Sequence, residues 1–213
     1  MTALKIPDLA SKVFLVTGAS TGIGAAVARA LAQQGAAVAV HYHSSEAQAR
    51  ELAEAIRTDG GQAFVIGGNM AVAQEVEAVI KSVAQHFGRI DGLINNAGSL
   101  LGRRLVAESD EAHDRAVLDL NAHSVVWASR AALPWLRKQG GVIINTTSVA
   151  ARNGGAGGSV LYAAAKGFVS TFTRGFAKEV VNQRIRVNAV LTRYHSDSIS
   201  RAVQQRGANG RNG

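Results

Sequence analysis

Tyr162 and Lys166 bring a phenol and an ammonium group together in the segment Tyr162-Ala-Ala-Ala-Lys166. Residues four apart lie on one face of an α-helix, so both groups can reach one bound molecule. A nearby ammonium group favours the phenolate and lowers the pKa of a tyrosine, which is normally about 10. We therefore expect Tyr162 to exchange a proton with a bound alcohol near neutral pH. Such pairs also occur by chance on surface helices, so this one needs support from other residues.

Two polar segments end apolar runs of the kind that form buried strands. Ser148 ends the run Ile143-Ile-Asn-Thr-Thr-Ser148, and Asn95-Asn-Ala-Gly98 ends another. Ligands bind at the carboxyl edge of a parallel sheet, which makes both segments candidates for one site. Taken alone, Ser148 could cap a strand end and 95–98 could form a turn.

Asn121 lies inside a predicted long helix, 109–138. An asparagine side chain competes with the helical backbone for hydrogen bonds, so this position needs another reason to carry one. A single mid-helix asparagine is more often a surface residue. Asn121 therefore becomes a candidate only together with the other polar features.

Alternating strand and helix patterns position these residues. Six apolar runs alternate with stretches of helical periodicity, and serines near residue 45 can cap the second helix. We predict an α/β protein, a three-layer Rossmann fold whose doubly wound parallel sheet has helices on both faces. The predicted strands are 12–17, 36–42, 62–66, 90–95, 141–147 and 185–190, and the predicted helices are 22–34, 45 onward, 71–87, 109–138 and 159–182.

The first strand and helix are joined by the turn Thr17-Gly-Ala-Ser-Thr-Gly-Ile-Gly24. Unpaired N–H groups and the positive end of the helix dipole favour a dinucleotide pyrophosphate there. Gly18 can adopt an unusual backbone angle, Gly22 can let phosphate approach, and Gly24 can let the helix lie close to the strand. The alternative is a tight turn without a ligand.

Length and composition indicate one globular domain. The chain has 213 residues, of which 47% are hydrophobic and 18% charged. It contains no cysteine, which excludes disulfides and thiolate metal sites, so we expect no metal and a reducing, cytoplasmic location. No leader sequence and no run of eighteen apolar residues are evident, so we expect a soluble protein without a membrane partner.

The net charge of +8 raises the question of nucleic-acid binding. Such binding would need basic residues clustered with aromatics or on one helix face, and neither pattern is evident. Residues 191–213 contain four arginines and one aspartate and so contribute +3 of the total. We therefore expect no nucleic-acid partner.

The glycine-rich turn, Asn95-Asn-Ala-Gly98, Asn121, Ser148 and Tyr162-x-x-x-Lys166 occur in an order and spacing that resemble the short-chain dehydrogenase/reductase family. The resemblance covers residues from about 9 to 190. It implies that Tyr162 exchanges the proton, Ser148 hydrogen-bonds the carbonyl or hydroxyl, and Lys166 holds the nicotinamide ribose. It also implies that Asn121 supports a proton relay and that the nicotinamide carries the hydride.

The resemblance further implies a cofactor site along the same sheet edge. Asn69 stands where the family commonly has an aspartate that meets the adenine amino group. The implied cofactor-binding residues are Gly18, Ser20, Thr21, Gly22, Ile23, Gly24, Tyr42, His43, Ser44, Asn69, Met70, Asn96, Ala97, Gly98, Tyr162 and Lys166.

The end of the second strand bears on the choice of cofactor. NAD enzymes usually place an acidic residue there to bind both ribose hydroxyls, and that acid repels a 2′-phosphate. Here the stretch is Val40-His-Tyr-His-Ser-Ser45, with Tyr42 near the acidic position and no arginine. This favours NADP(H) and leaves NAD(H) open.

The sequence pattern breaks at Leu191. Family members generally continue into x-Pro-Gly-x-Ile-x-Thr, a substrate lid and a final strand, whereas residues 191–213 are polar and glycine-rich. Permitted codons for 191–200, read from the second base of the Leu191 codon, encode Ser-Pro-Gly-Thr-Ile-Arg-Thr-Pro-Phe. We therefore expect a catalytic domain over 1–190 and a frameshifted basic tail over 191–213, disordered beyond about Val203, with the lid and last strand missing.

The resemblance is nearest to 3-oxoacyl-carrier-protein reductase-like members, which favours an oxidoreductase that interconverts a carbonyl and a secondary alcohol. Sugar or polyol dehydrogenase-like members are an alternative, as is a truncated nucleotide-binding protein with little activity. The family often forms tetramers. A homodimer through helices 109–138 and 159–182 is the expectation here, because the C-terminal elements of the second interface are missing.

Overall fold

A computed structural model describes residues 5–193 of the chain. The predicted tail lies outside the described residues except for Leu191, Thr192 and Arg193. Its predicted disorder beyond Val203 therefore lies outside them as well.

Six parallel strands form one sheet in the order β3-β2-β1-β4-β5-β6. After β3 the chain crosses to the other side of β1, so the strand order reverses between β1 and β4. Ligands bind at such a reversal, outside the carboxyl ends of the strands. The strands are β1 Val13–Val16, β2 Ala37–Tyr42, β3 Gln62–Gly67, β4 Gly92–Asn95, β5 Gly141–Ser148 and β6 Ile185–Thr192.

Helices cover both faces of the sheet, which confirms the predicted doubly wound α/β fold. One face packs against α1 and α2 through residues such as Val38 and Val40, and the other packs against α3, α5 and α7 through Leu15 and Ile143. The helices are α1 Gly22–Gln33, α2 Glu46–Thr58, α3 Ala73–Phe87, α4 Glu111–Leu118, α5 Ser124–Leu136, α6 Ala150–Asn153 and α7 Val160–Val180.

Three local features differ from the expectations. The long helix predicted over 109–138 is divided by a π-helical segment, Asp119–His123. Ser45 occupies the N-cap position of α2, but its side chain makes no capping hydrogen bond. Strand β6 continues two residues beyond the predicted end, where Thr192 Oγ1 donates to Thr147 O at 2.9 Å.

Among residues 5–193, no helix is long and apolar enough to cross a membrane. Within the same residues, no group of three or more histidine, aspartate or glutamate side chains could hold a metal ion.

Candidate active site

A cleft with a volume of about 870 Å³ opens at the carboxyl edge of the sheet, where the strand order reverses. Most of the predicted site residues line it. A second cavity of about 630 Å³ lies elsewhere and contains none of them. The predicted residues that line the cleft are Gly18, Ser20, Thr21, Gly22, Ile23, His43, Ser44, Asn69, Met70, Asn96, Ala97, Gly98, Tyr162 and Lys166.

The glycine-rich turn leaves helix N–H groups facing this cleft. Gly18 and Gly22 have φ angles of 61° and 57°, in the left-handed region that favours glycine. Thr21 occupies the N-cap position of α1, yet its side chain makes no capping hydrogen bond. The first-turn N–H groups have no carbonyl partner within the helix, so they are suited to bind the oxygens of a pyrophosphate.

Asn96 holds the glycine-rich turn against the end of β4. Its Nδ2 donates to Thr17 O at 2.9 Å and to Gly18 O at 3.0 Å. A Cβ on Gly24 would lie 2.2 Å from Gly18 O, so only glycine fits where α1 passes the turn. Gly24 therefore lies beneath the cleft surface and shapes it without lining it.

The end of β2 presents His43 and Ser44 to the cleft but not Tyr42. Alternation along the strand explains this, because Tyr42 shares its face with Val38 and Val40 and packs with them. Its ring lies against Gly67, and its hydroxyl is hydrogen-bonded to Glu46. The structure does not bring Tyr42 to the cofactor position that the sequence suggested.

Asn69 contributes to the wall beyond β3. Its Oδ1 accepts a hydrogen bond from Ala71 N at 2.9 Å, and its own N–H donates to Glu75 Oε2 at 2.7 Å. The amide oxygen that could meet an adenine amino group is thus already used by the local turn. It keeps one further lone pair for a ligand.

The π-helical segment explains the asparagine inside the long helix. Asn121 is fully buried, and its Nδ2 donates to Ser99 O at 2.7 Å and to Val117 O at 2.9 Å. Its Oδ1 accepts from Ser99 N at 3.1 Å. Asn121 therefore fixes the loop that follows β4 from behind the cleft and does not line the cleft itself.

Lys166 crosses beneath the cleft from helix α7 to strand β5. Its side chain is buried, and Nζ donates to Thr146 O at 3.0 Å. Burial lowers the pKa of Lys166 to about 8, because a charged ammonium group loses hydration there. Nζ also lies 5.7 Å from the centre of the Tyr162 ring, so the predicted pair does share one site.

Gly98 makes room for this arrangement. A Cβ on Gly98 would lie 2.8 Å from Asn121 Oδ1 and 3.1 Å from Lys166 Nζ. The lack of a side chain therefore lets the amide and the ammonium group approach the same point of the loop after β4.

Ser148 is the last residue of β5, two positions beyond Thr146, which accepts the Lys166 hydrogen bond. Its Oγ accepts a hydrogen bond from Ala150 N at 3.2 Å, which is the strand-end capping role that the sequence left open. That contact uses the oxygen as an acceptor, so the hydroxyl proton can still be donated to a substrate oxygen. Ser148 is buried and does not line the open cleft.

Sequence reasoning missed several residues that line the cleft: His41, Ser45, Ala71, Ser99, Leu101, Ala116, Leu120, Thr146, Thr192 and Arg193. Strand alternation carried a signal for His41, since it lies on the same side of the chain as His43 and on the opposite side from Tyr42. Thr192 and Arg193 carried none, because they follow the break in the sequence pattern.

The cleft therefore brings together a glycine-rich turn suited to a pyrophosphate, the phenol of Tyr162 and the buried ammonium group of Lys166. The family model described as short chain dehydrogenase matches residues 12–206. The chain belongs to the short-chain dehydrogenase family. It is accordingly an oxidoreductase of the class that interconverts carbonyl and CH–OH groups with a nicotinamide cofactor, which confirms the resemblance found in the sequence.

Two curated family members that resemble this chain in sequence are both named as reductases. Short-chain reductase protein NovJ of Streptomyces niveus is 45% identical over 179 residues, which are 84% of this chain and 67% of NovJ. The 3-oxoacyl-[acyl-carrier-protein] reductase of Synechocystis sp. is 42% identical over 183 residues, 85% of this chain and 73% of that enzyme.

Solved structures agree with this assignment. NADH-dependent reductase A1-R′ complexed with NAD matches with a TM-score of 0.85 and 34% identity, over 88% of this chain and 80% of that one. A short chain dehydrogenase from Burkholderia cenocepacia J2315 in complex with NADP matches with a TM-score of 0.84 and 33% identity, over 93% and 82%. Relatives of this dehydrogenase thus include structures with either nicotinamide cofactor.

Proposed function

We propose that this dehydrogenase reduces a ketone, with Tyr162 as the proton donor and NADP(H) as the favoured cofactor. The observation that carries the proposal is the buried Lys166, whose Nζ is fixed by Thr146 O within reach of the Tyr162 ring. The bound nicotinamide would supply the hydride. Substrate reduction then needs one proton at the developing alkoxide, which the Tyr162 hydroxyl would donate.

The other polar groups support that proton transfer. The Lys166 ammonium group stabilises the negative charge left on the phenol oxygen, and it can bind the ribose hydroxyls of the cofactor. Ser148 can donate its hydroxyl proton to the substrate oxygen and so orient the carbonyl. Asn121 fixes the backbone of Ser99 and, in our proposal, supports proton supply to Lys166 from solvent.

The preference for NADP(H) rests on the position of Glu46, the acidic residue that follows the end of β2, away from the cleft wall. Glu46 is paired with Arg50 at 2.6 Å and hydrogen-bonded to Tyr42, so this acid is engaged on α2. His43 and Ser44 face the cleft instead and can accommodate a 2′-phosphate. Comparison of kcat/KM with NADPH and NADH tests this, and a strong preference for NADH would contradict it.

A 3-oxoacyl thioester is the proposed substrate class. The support is the 42% identical 3-oxoacyl-[acyl-carrier-protein] reductase, together with the apolar Leu101 and the cationic Arg193 on the cleft wall. Sugar or polyol oxidation is the second candidate. Turnover of a panel of oxoacyl thioesters, simple ketones and polyols distinguishes the two, and turnover of polyols alone would exclude the first.

Tyr162→Phe provides the direct test of the reductase mechanism. We expect the variant to bind NADPH as the wild type does, measured by nucleotide fluorescence, and to lose about 10³-fold or more in kcat. Its folding is checked by thermal unfolding. NADPH binding without ketone reduction in the wild type would instead support a nucleotide-binding protein with little activity.

We further propose a homodimer through the helical segments 109–138 and 159–182. Phe168 of α7 is 44% exposed, and its ring contacts the rings of His123 and Phe172. Phe168→Asp should shift the mass measured by light scattering from dimer to monomer. Val106→Asp, at an exposed position of the short 3-10 helix Val106–Glu108 outside these segments, serves as the control. A monomeric wild type would exclude the dimer.

We also propose that the catalytic domain ends near residue 190 and that a shift in reading frame produced the segment that follows. The nucleotide sequence across 191–200 tests this directly. The proposal is wrong if the neighbouring frame does not encode Ser-Pro-Gly.

A further inference from the structure

The imidazole of His41 joins two walls of the cleft. Nδ1 lies 3.0 Å from Gly18 N, in the glycine-rich turn, and Nε2 lies 3.0 Å from Gly68 O, in the segment that leads to Asn69. Both contacts are with backbone atoms. The ring therefore spans the gap between the turn and the opposite wall.

The two partners determine the protonation state of this ring. Gly18 N–H can only donate, so Nδ1 must be its acceptor and carry no proton. Gly68 O can only accept, so Nε2 must carry the proton and donate it. The contacts thus select the neutral Nε2–H tautomer, and an imidazolium would direct a second N–H at the amide of Gly18.

The surroundings also favour the neutral ring. His41 is 1% exposed, and burial lowers its pKa to about 4, with His43 adding to the effect. Glu75 of α3 borders the same wall, but its carboxylate accepts the Asn69 N–H at 2.7 Å. The glycine-rich turn and the segment 67–72 carry no titratable side chain.

The backbone of His41 strengthens the connection to the turn. Its carbonyl accepts the Ala19 N–H at 2.7 Å, while the ring accepts the N–H of the preceding Gly18. Asn96 Nδ2 holds Gly18 O from the other side at 3.0 Å. The peptide groups on both sides of Gly18 are therefore fixed before any ligand binds.

We propose that His41 is a positioning residue for the cofactor. It holds the glycine-rich turn, which would bind the pyrophosphate, at a set distance from the opposite wall of Gly68 and Asn69, which would face the adenosine. This inference rests on the proposed binding of NADP(H) in this cleft. The proton-transfer machinery of Tyr162, Ser148 and Lys166 lies on other strands and helices, so His41 affects cofactor affinity and not the chemical step.

Substitution by asparagine or glutamine separates the two contacts of the ring. In His41→Asn, the new side-chain amide reaches the position of Nδ1 and can accept from Gly18 N, but it is too short for Gly68 O. In His41→Gln, the longer amide reaches the position of Nε2 and can donate to Gly68 O, but it leaves the Gly18 N–H without its acceptor. The pair of variants therefore tests which contact fixes the turn.

The experiment measures the Kd of NADP⁺ by titration calorimetry at pH 7.5 for the wild type, His41→Asn, His41→Gln and His86→Gln. His86 is exposed on α3, where its ring stacks on Phe64, and it controls for the loss of a histidine ring outside the cleft. We expect His41→Gln, which frees the turn itself, to raise the Kd about tenfold or more, and His41→Asn, which loses only the bond to the opposite wall, to raise it by about threefold to tenfold. In ketone reduction, His41→Gln should raise the KM for NADPH with kcat unchanged. Equal affinities for all four proteins would overturn the proposal.

The histidine tautomer is measured separately in the cofactor-free protein. Nitrogen-15 NMR at pH 6 should show a protonated Nε2 and an unprotonated Nδ1, with slow hydrogen exchange at the Gly18 amide that becomes faster in His41→Gln. A charged ring or the Nδ1–H tautomer would overturn the proposal even if a variant fails to fold. If the tautomer is as expected but the wild type binds no NADP⁺, the proposed cofactor is at fault and not the geometry of His41.

Discussion

The two halves of the cleft are held in place by different kinds of contact. Around the glycine-rich turn, neutral groups such as Asn96 and His41 bond to backbone atoms. Around Tyr162, a buried cation reaches from α7 to β5 and is compensated by one carbonyl, Thr146 O. The half proposed to bind the nucleotide is thus shaped by hydrogen bonds to the backbone, whereas the half proposed to be catalytic contains a charge that burial disfavours.

This difference separates stability from chemistry. Around the glycine-rich turn, each hydrogen bond that shapes the cleft also stabilises the fold. A change there should therefore affect the free energy of unfolding and the cofactor affinity together. In the catalytic half, burial of Lys166 opposes folding and, in the proposed mechanism, serves the reaction. Removal of that charge should reduce kcat without reducing stability.

Lys166→Met should have the largest effect. Methionine has a similar volume but no charge, so the phenolate loses its stabilising cation and kcat should fall about 10³-fold. The free energy of unfolding at pH 7 should not decrease by more than about 1 kcal/mol, because the burial penalty of the ammonium group disappears as well. Steady-state kinetics and urea unfolding measure the two quantities.

Lys178→Met is the matched control for this prediction, since Lys178 is exposed near the end of the same helix. It should change neither kcat nor stability appreciably. A large loss of stability in Lys166→Met would show that the cation holds α7 to the sheet, and the proposed contrast between the halves would be wrong.

The sequence predicted the elements around the glycine-rich turn better than the orientation of individual side chains. Strand and helix periodicity located β1, β4 and the turn between β1 and α1, because these elements follow local patterns. The orientation of the Tyr42 side chain follows from the alternation of side chains along β2. The sequence suggested a cofactor contact instead, because Tyr42 stands near the position that is acidic in NAD enzymes. The π-helical segment carries Asn121, whose side chain is hydrogen-bonded to Ser99, 22 residues earlier in the chain, so no local pattern could predict this contact.

Gly24→Ala tests whether the packing of the glycine-rich turn supports both the fold and cofactor binding. The new Cβ would lie 2.2 Å from Gly18 O, and backbone can move only by disturbing the turn. We expect a loss of about 3 kcal/mol in the free energy of unfolding together with weaker NADP⁺ binding. Urea unfolding and calorimetry provide the measurements.

Gly175→Ala is its control, because a Cβ there meets nothing within 4 Å inside helix α7. This variant should gain about 0.5–1 kcal/mol from helix propensity alone. If Gly24→Ala weakened NADP⁺ binding without loss of stability, the turn would be a ligand site that the fold does not depend on.

The two halves should also respond to pH in different windows. His41 has a folded pKa of about 4 against 6.5, so the unfolded chain binds more protons between these values and stability decreases as the pH falls from 6.5 to 4. Lys166 has a folded pKa of about 8 against 10.5, so stability increases as the pH rises from 8 to 10.5. Each window is worth at most about 3 kcal/mol.

Differences between proteins isolate each window, because the pKa values of Glu46 and Asp110 are also lowered and add to the acid response. The unfolding free energy of the wild type minus that of His41→Asn should vary only below pH 6.5. The difference from Lys166→Met should vary only above pH 8. A Lys166 difference that stays constant to pH 10.5 would mean that the ammonium group is not destabilised by burial.

Thr173→Val should have the smallest effect and shows how the catalytic half is positioned without charge. Thr173 Oγ1 accepts from Asn145 Nδ2 at 2.9 Å, and Asn145 Oδ1 accepts from Asn95 Nδ2 at 2.9 Å. All three side chains are buried, so valine would leave one amide proton of Asn145 without a partner at a cost of about 1–2 kcal/mol. Thr173→Ser keeps the hydroxyl and should restore most of that stability.

If this chain of hydrogen bonds also sets the position of α7 on the sheet, valine should lower kcat several-fold and serine should recover it. An unchanged kcat in the valine variant would mean that apolar packing alone places Tyr162 and Lys166, and that only the nucleotide half is positioned by hydrogen bonds.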